Sequence, residues 1–334
     1  MTSSDVAIRP LEEADLEEAD RIMRLAFGTF LGLPDPMAFM GDADYVRTRW
    51  AAEPTCALAA EVDGRLVGTN FVTRWGSVGF FGPLTVEPSL WDQGVARALL
   101  TETMPFFDRW GVTHAGLFTF PQSPKHLALY QSYGFLPRFL APVLAKPLTS
   151  AATGDASPRQ GAGDAAVDTG ADAGRWSSGA EAADLATVVA GCARVTDANY
   201  PGLDVTREIE AAAAQKLGDT VVVHDDAGGV DAFAVCHTGP GSEAGTGTCF
   251  VKFGAALPGP GADQRFARLL TACEAFAAQQ GAQAVVAGVN AARRGAHQAL
   301  LDRGYRAQLV GVTMHKPDES AYHDESAWVI DDWR

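Results

Sequence analysis

The sequence predicts an α/β protein built as two similar domains, each with a mixed sheet. Three observations carry that expectation. At 334 residues the chain is longer than one hydrophobic core ordinarily serves. The stretch TSAATGDASPRQGAGDAAVDTGADAG, from Thr149 to Gly174, has no aromatic residue, and Val167 is its only large aliphatic. It cannot bury a core and reads as a linker over 149–175. The flanks then repeat one another. ADL at Ala14–Leu16 returns at Ala183–Leu185, and DQGVARALL from Asp92 returns as DQRFARLL from Asp263. YGF at Tyr133–Phe135 returns as RGY at Arg303–Tyr305, and LAKP ending at Pro147 as MHKP ending at Pro317. Four matches in order, at offsets of 169 to 171 residues, predict one duplicated domain occupying 1–148 and again 176–334.

Each element of the first copy has its own signal. VAIRPL reads as a short strand. Glu12–Phe27 is an amphipathic helix, with Leu16, Ala19, Ile22, Met23 and Ala26 at helical spacing. Residues 28–50 carry Gly and Pro and read as a loop, then a helix ending near Trp50. CALAAEVDGRLVGTNFVTRW is a hairpin turning at Asp63-Gly64. SVGFFGPLTV is a further strand. Gly94–Trp110 is a helix with Ala96, Leu99, Leu100, Thr103, Phe107 and Trp110 inward, and Pro105 predicts a kink or break in it. HAGLFTF is a strand, Pro124–Ser132 a helix, and FLPRFLAPVLAKPL a closing strand. The helix between SVGFFGPLTV and HAGLFTF requires those two strands to be parallel.

Composition excludes several function classes. A net charge of −15 argues against a nucleic-acid binder. No apolar run approaches a membrane span, and the start lacks a secretory pattern. The five cysteines are scattered without a C-x-x-C pair, which reads as reduced, buried thiols and a cytoplasmic protein. The histidines make no metal-ligand spacing, so no metal is expected. No G-x-x-x-x-G-K-[ST], G-x-G-x-x-G or G-x-S-x-G motif occurs.

The informative stretch is PLTVEPSLWDQGVARALL, from Pro83 to Leu100. It reads as a strand, a turn with one glycine, and a helix start. Helix starts present unpaired N–H groups that can hold an anion. Gly94 and Ala96 keep that backbone approachable, and Arg97 adds a positive charge. Taken alone, such a junction is also an ordinary tight turn.

With its surroundings this stretch resembles the GNAT superfamily of acyl-CoA-dependent N-acyltransferases. The family has a strand ending in hydrophobic-x-V-x-P, then [QR]-x-x-G-x-[GA] opening a helix. Here these are Leu84-Thr85-Val86-Glu87-Pro88 and Trp91-Asp92-Gln93-Gly94-Val95-Ala96, with Trp91 replacing the usual Gln or Arg. A second family landmark is Asn, a Tyr seven residues on, then Gly-Phe. Here it is Ser123, Tyr130 and Gly134-Phe135, with Ser replacing Asn. The resemblance covers residues 5–148. It implies two GNAT-like domains, each a mixed, mostly antiparallel sheet with helices on both faces. It also implies acetyl-CoA as cosubstrate. The backbone of Gln93, Gly94, Val95, Ala96 and Arg97 would hold the diphosphate. Leu84, Thr85 and Val86 would lie along the pantetheine arm, Ser123 would sit in the cofactor site, and Tyr130 would be general acid. The implied reaction is acyl transfer to a primary amine on a small molecule or peptide. The alternative is a non-catalytic acyl-CoA binder or sensor of the same fold, and a homodimer is possible in either case.

No general base stands out. Glu87 reads as a solvated loop residue, Glu61 could face either way, and His114 reads as structural. Lys125 reads as an exposed helix charge. The segment Gly28–Trp50, with Phe30, Leu31, Leu33, Met37, Phe39 and Met40 among Asp35, Asp42 and Asp44, is expected to line an acceptor cleft that is part apolar and part acidic. The second copy keeps the layout and loses the chemistry: Arg265 matches Gly94, and Leu300 matches Tyr130. Its final stretch, YHDESAWVIDDWR, should dock its two tryptophans on a domain, with His323, Asp324 and Glu325 as a solvated run.

Overall fold

The computed structural model describes residues 6–148, 173–176 and 182–334. The predicted linker lies outside the described residues up to position 172. In the first copy β1 (Ala7–Pro10) leads to α1 (Leu16–Phe30) and α2 (Tyr45–Ala52). The Asp44 carboxylate starts α2 by accepting the Arg47 N–H. A hairpin follows, β2 (Ala57–Val62) and β3 (Arg65–Trp75), turning at Asp63-Gly64 with φ of +52° and +72°. Next come β4 (Val78–Phe81), β5 (Thr85–Val86), α3 (Val95–Trp110), β6 (His114–Thr119), α4 (Pro124–Gln131) and β7 (Leu136–Pro147).

The second copy repeats the order. It runs β8 (Ala173–Trp176), α5 (Ala182–Asn199), α6 (Thr206–Ala214), β9 (Gly218–His224), β10 (Val230–Gly239) and β11 (Gly245–Ala256). It continues with α7 (Ala262–Gln279), β12 (Ala284–Gly288), α8 (Arg294–Asp302), β13 (Arg306–Lys316) and β14 (Val329–Ile330).

Three expectations are corrected. Pro105 lies inside α3 without ending it, because Leu99, Leu100, Thr103 and Phe107 are buried on either side of it. SVGFFGPLTV is two strands, not one, since the chain turns at Gly82-Pro83 between β4 and β5. The end of the predicted linker is strand β8, which pairs with β9.

One continuous sheet runs through the molecule in the order β1-β2-β3-β4-β6-β13-β7-β12-β11-β10-β9-β8. The order is palindromic under the 170-residue offset. The predicted parallel pair is present as β4 against β6, and its echo is β11 against β12. At the centre the copies trade closing strands. β13 of the second copy pairs with β6, and β7 of the first pairs with β12. β7 and β13 also pair with each other, antiparallel. Neither copy's sheet is complete without a strand from the other.

Helices cover both faces. In the first copy Leu16, Met23 and Val46 of α1 and α2 pack on Ala57, Ala59 and Phe71. On the opposite face Val95 and Leu99 of α3 pack on Leu58, Ala60 and Val67. In the second copy Phe266, Leu269, Leu270 and Phe276 of α7 cover Val221, Ala234 and Val251. All five cysteines are free and buried. Among the described residues, no helix is long and apolar enough to cross a membrane.

Polar contacts lock the copies as well. Glu243, fully buried, accepts from Arg49 Nε at 3.0 Å and Lys252 Nζ at 2.6 Å. Burial alone would raise the Glu243 carboxyl, but Arg49 and Lys252 outweigh it and hold it well below the usual carboxylate range. Arg49 Nη1 also donates to the Gly82 carbonyl at 2.7 Å. The second copy thereby braces the break between β4 and β5.

Candidate active site

β4 and β6 stay paired as far as Phe81 and Leu117. After Gly82-Pro83 the chain continues as Thr85–Val86, which pairs with β3 alone, Thr85 opposite Thr69 and Val86 opposite Gly68. A 2.9 Å bond between the Thr69 and Thr85 hydroxyls fastens that segment to β3. The parallel strands therefore part, and a cavity of about 690 Å³ opens between them.

α3 begins at the mouth of this cavity. Gly94 caps it with φ of +88°, after Asp92 at +66°. The first helical bond joins the Ala98 N–H to the Gly94 carbonyl at 3.0 Å. The N–H groups of Val95, Ala96 and Arg97 therefore have no helical partner. A Cβ at Gly94 would meet nothing within 4 Å, so the space over the loop is open. The positive φ is what selects glycine there. Trp91, unexplained by the motif, pins this loop. Its indole Nε1 donates to the Val86 carbonyl at 2.8 Å, and its ring packs beside Val86 and Val95. Lys125 of α4 is the exposed helix charge expected, and it forms an ion pair with Asp92 across the loop.

The cavity gathers nearly all the predicted residues. Leu84, Thr85 and Val86 line one side, and Gly94, Val95, Ala96 and Arg97 line the mouth. Ser123 and Tyr130 line the wall from α4 and its start. Gln93 is the exception: its side chain is exposed and bonds the Ser89 carbonyl at 3.1 Å. Ser123 is the N-cap of α4, accepting the His126 N–H at 3.4 Å. Tyr130 is buried, its ring 5.7 Å from that of Phe81. Burial pushes its phenol up to about 12, with Thr119 pulling slightly the other way. The hydroxyl therefore keeps its proton at neutral pH.

The opposite wall comes from α1 and the loop after it. Phe30, Leu31, Phe39 and Met40 line the cavity as expected, while Leu33 and Met37 do not. The expected acids are elsewhere. Asp35 accepts the Met37 N–H, and Asp44 caps α2. Asp42 accepts the backbone N–H of Thr246 in the second copy at 2.8 Å. Asp side chains satisfy nearby backbone donors readily, and here that use takes them off the cleft. Glu61 pairs with Arg9 at 2.8 Å and Glu87 with Arg21 at 2.7 Å. His114 is buried, 2.9 Å from His315. None of these three lines the cavity. Among the described lining residues the only side-chain carboxylate is Asp92.

The second copy has a filled site. Its core leucines Leu269 and Leu270 stand 170 residues after Leu99 and Leu100, so Gln264, not Arg265, corresponds to Gly94. Contrary to the sequence expectation, a left-handed glycine does cap its helix: Gly261, with φ of +79°, one turn earlier. The added turn and Arg265 occupy the loop's place. Arg265 Nη1 donates to the carbonyls of Pro260 at 2.9 Å and Leu257 at 3.2 Å. Leu300 is buried where Tyr130 would be. The final stretch docks on both copies, and His323 is buried against Arg293 rather than solvated.

Residues 21–135 match the profile described as the acetyltransferase (GNAT) family. That stretch is a GNAT acetyltransferase domain. Solved structures extend the likeness in fold to both copies. A Pyrococcus horikoshii protein assigned as an acetyltransferase superposes with a TM-score of 0.66 at 12% identity, covering 100% of this chain and 96% of its own. A GCN5-related N-acetyltransferase from Sphaerobacter thermophilus gives 0.59 at 16% identity, covering 93% and 95%. One from Kribbella flavida gives 0.50 at 12%, covering 94% and 71%. No curated protein matches the chain. The GNAT family uses acetyl-CoA and acts on amines.

Proposed function

We propose that the first copy transfers an acetyl group from acetyl-CoA to a primary amine by direct attack. The acceptor is a small molecule or the amine of a peptide. One observation carries the reading: a protonated, buried Tyr130 hydroxyl shares a cavity with the unpaired N–H groups of an exposed helix start. Acetyl-CoA supplies the acyl thioester. The backbone from Gln93 to Arg97 receives its diphosphate, because convergent N–H donors suit an anion. The Arg97 side chain adds positive charge at the mouth. The main chain of Leu84 to Val86 runs along the cavity, where it can meet the pantetheine amides as a strand edge would, the Val86 carbonyl already accepting from Trp91. Ser123 holds the start of α4 in place and thereby the direction of Tyr130.

The amine nitrogen forms its bond to the acyl carbon as the carbon–sulfur bond breaks. Tyr130 gives its proton to the departing sulfur, and the amine proton leaves to solvent, from which Tyr130 recovers its own. General acid catalysis of this kind contributes about 10²- to 10⁴-fold. Tyr130→Phe is therefore expected to lower kcat by about that factor while calorimetry shows unchanged acetyl-CoA affinity. Full turnover in the variant would remove the assignment. Acetyl-CoA binding without thiol release to any amine would instead establish a sensor. Because β6 is paired by β13, the catalytic unit includes a strand from beyond 148.

A further inference from the structure

Residues 317–334 return from the second copy to the first, and nothing in the acetyltransfer reading uses them. Their strand β14 pairs with β11, Val329 opposite Ala255 and Ile330 opposite Gly254. Under the 170-residue offset, Gly254 and Ala255 correspond to Leu84 and Thr85. In the first copy that strand edge faces the cavity. In the second copy the chain itself occupies it. Arg293, at the position of Ser123, fastens the occupant. Fully buried, it donates to the Val329 carbonyl at 3.0 Å and to Asp331 Oδ2 at 2.9 Å.

Past β14 the chain crosses into the first copy. Trp333 has φ of +56°, a conformation that a bulky residue keeps only where its surroundings impose it. The surroundings are specific. The indole Nε1 donates to the Tyr322 hydroxyl at 2.7 Å, and the ring stacks on Phe80 at 6.3 Å and 11°. It packs against Gly116 of β6, where a Cβ would come within 2.0 Å of it. Trp333 is among the residues that line the 690 Å³ cavity, with Tyr45, Phe81 and Phe118. Met23, Phe27 and Met40 line the same cavity.

We propose that Trp333 is a specificity-determining residue of the first copy, the stop that limits the length of an apolar amine in its acceptor arm. The second copy's own slot is given up to the segment that delivers this stop. The proposal rests on the acetyltransferase reading of the cavity. It adds the acceptor class: a primary amine on a compact aromatic or branched aliphatic body, since the arm is walled by aromatic rings and thioethers. An apolar wall of this kind discriminates by about 10- to 200-fold per methylene-sized misfit.

The test is calorimetric binding of benzylamine, phenethylamine and 4-phenylbutylamine to the full chain saturated with CoA. The variants are Trp333→Ala, Trp333→Phe and, as a control in the same segment, Trp328→Phe, which alters a ring tilted against Phe266 of the second copy at 5.4 Å. The wild type should prefer the shorter amines. Trp333→Ala should shift the preference toward 4-phenylbutylamine by tenfold or more, and Trp333→Phe by less. Trp328→Phe should leave the preference in place, and CoA affinity should be constant throughout. Trp333→Phe keeps an aromatic ring in the site and serves if the alanine variant does not fold. An unchanged length preference in the Trp333 variants, or no binding of any of the three amines to a CoA-saturated wild type, overturns the proposal and leaves the acetyltransferase reading standing. Failure of CoA itself to bind overturns both.

Discussion

The two copies have the same register of strands and helices and opposite fates for the same slot. In the first, the parallel strands part beside Leu84–Val86 and the space between them is open. In the second, the equivalent edge is paired by Val329–Ile330, the loop before the helix is replaced by an extra helical turn, and Arg265 fills what remains. The fold alone therefore does not make the site. It makes an edge with unpaired backbone groups, and such an edge is satisfied either by a ligand or by the chain.

The largest test of this symmetry removes one copy. A fragment of residues 1–148 lacks β13, so β6 loses its neighbour and β7 loses both of its partners. A second identical fragment can supply them, because β7 and β13 are equivalent strands. Light scattering should find a symmetric dimer of twice the fragment mass, joined through antiparallel β7 strands. A well-folded monomer at micromolar concentration would mean the strand exchange is dispensable.

The seams between copies differ in chemistry and so in pH response. Where β6 meets β13 the seam carries His114 and His315, 2.9 Å apart. At the equivalent positions beside β12 and β7 stand Ala284 and Ala145. Burial pushes His114 down to about 4 and His315 to about 3, His315 being lowered further by its neighbours. An unfolded histidine titrates near 6.5, so below that pH the unfolded chain binds protons the folded chain refuses. Stability is complete above pH 6.5 and falls as pH drops toward 4. Each tenfold loss of proton affinity on folding is worth about 1.4 kcal/mol, and sharing of one site by two imidazoles limits the total to about 2–4 kcal/mol. Urea midpoints at pH 7.5 and 5 should record the decline. Converting both histidines to alanine, as in the other seam, should reduce it, the buried His237 and His323 keeping part of the decline because burial lowers them as well, and an equal decline in that double variant would place the sensitivity elsewhere.

Much of this was legible before the structure. Four short matches at offsets of 169 to 171 residues announce the repeated order of elements, and the spacing of Gly94, Tyr130 and Gly134-Phe135 marks the candidate site. The strand exchange is not legible, because β7 and β13 carry equivalent patterns and either would serve beside β6. Arg265 aligns with Gly94 in the sequence because a one-residue slip between DQGVARALL and DQRFARLL is invisible without the buried leucines that set the register. The acids of 28–50 look like a cleft lining because composition does not distinguish a carboxylate that faces a ligand from one that caps a turn. His323 reads as solvated because its sequence neighbours are charged, whereas its partner, Arg293, is 30 residues away.

The capping glycines offer a paired measurement of moderate size. Gly94 and Gly261 both hold left-handed backbone, at +88° and +79°. Alanine at either should cost about 1–2 kcal/mol in stability from backbone strain alone. Only at Gly94 does the added methyl also stand where the diphosphate would approach. Gly94→Ala should weaken acetyl-CoA binding by about tenfold, equivalent to about 1.4 kcal/mol, and Gly261→Ala should leave it unchanged. Equal effects on binding would mean that the second copy's helix start contributes to the ligand site after all.

Trp91 gives the smallest effect and the finest distinction. Under the 170-residue offset its counterpart is Gly261, the cap of a helix that starts one turn sooner. A longer helix satisfies its own backbone and needs no prop. The first copy ends its helix short, leaves three N–H groups unpaired for a ligand, and holds the resulting turn with an indole bonded to the Val86 carbonyl at 2.8 Å. Trp91→Phe keeps the packing against Val86 and Val95 and removes only that donor. A lost hydrogen bond of this type is worth about 1 kcal/mol. If the bond serves to preorganise the loop, the loss falls on ligand affinity: acetyl-CoA should bind about fivefold more weakly, with kcat unchanged and thermal stability little altered. If instead the variant loses stability and binds acetyl-CoA as tightly as before, the indole is ordinary core, and the openness of the first copy's helix start owes nothing to it.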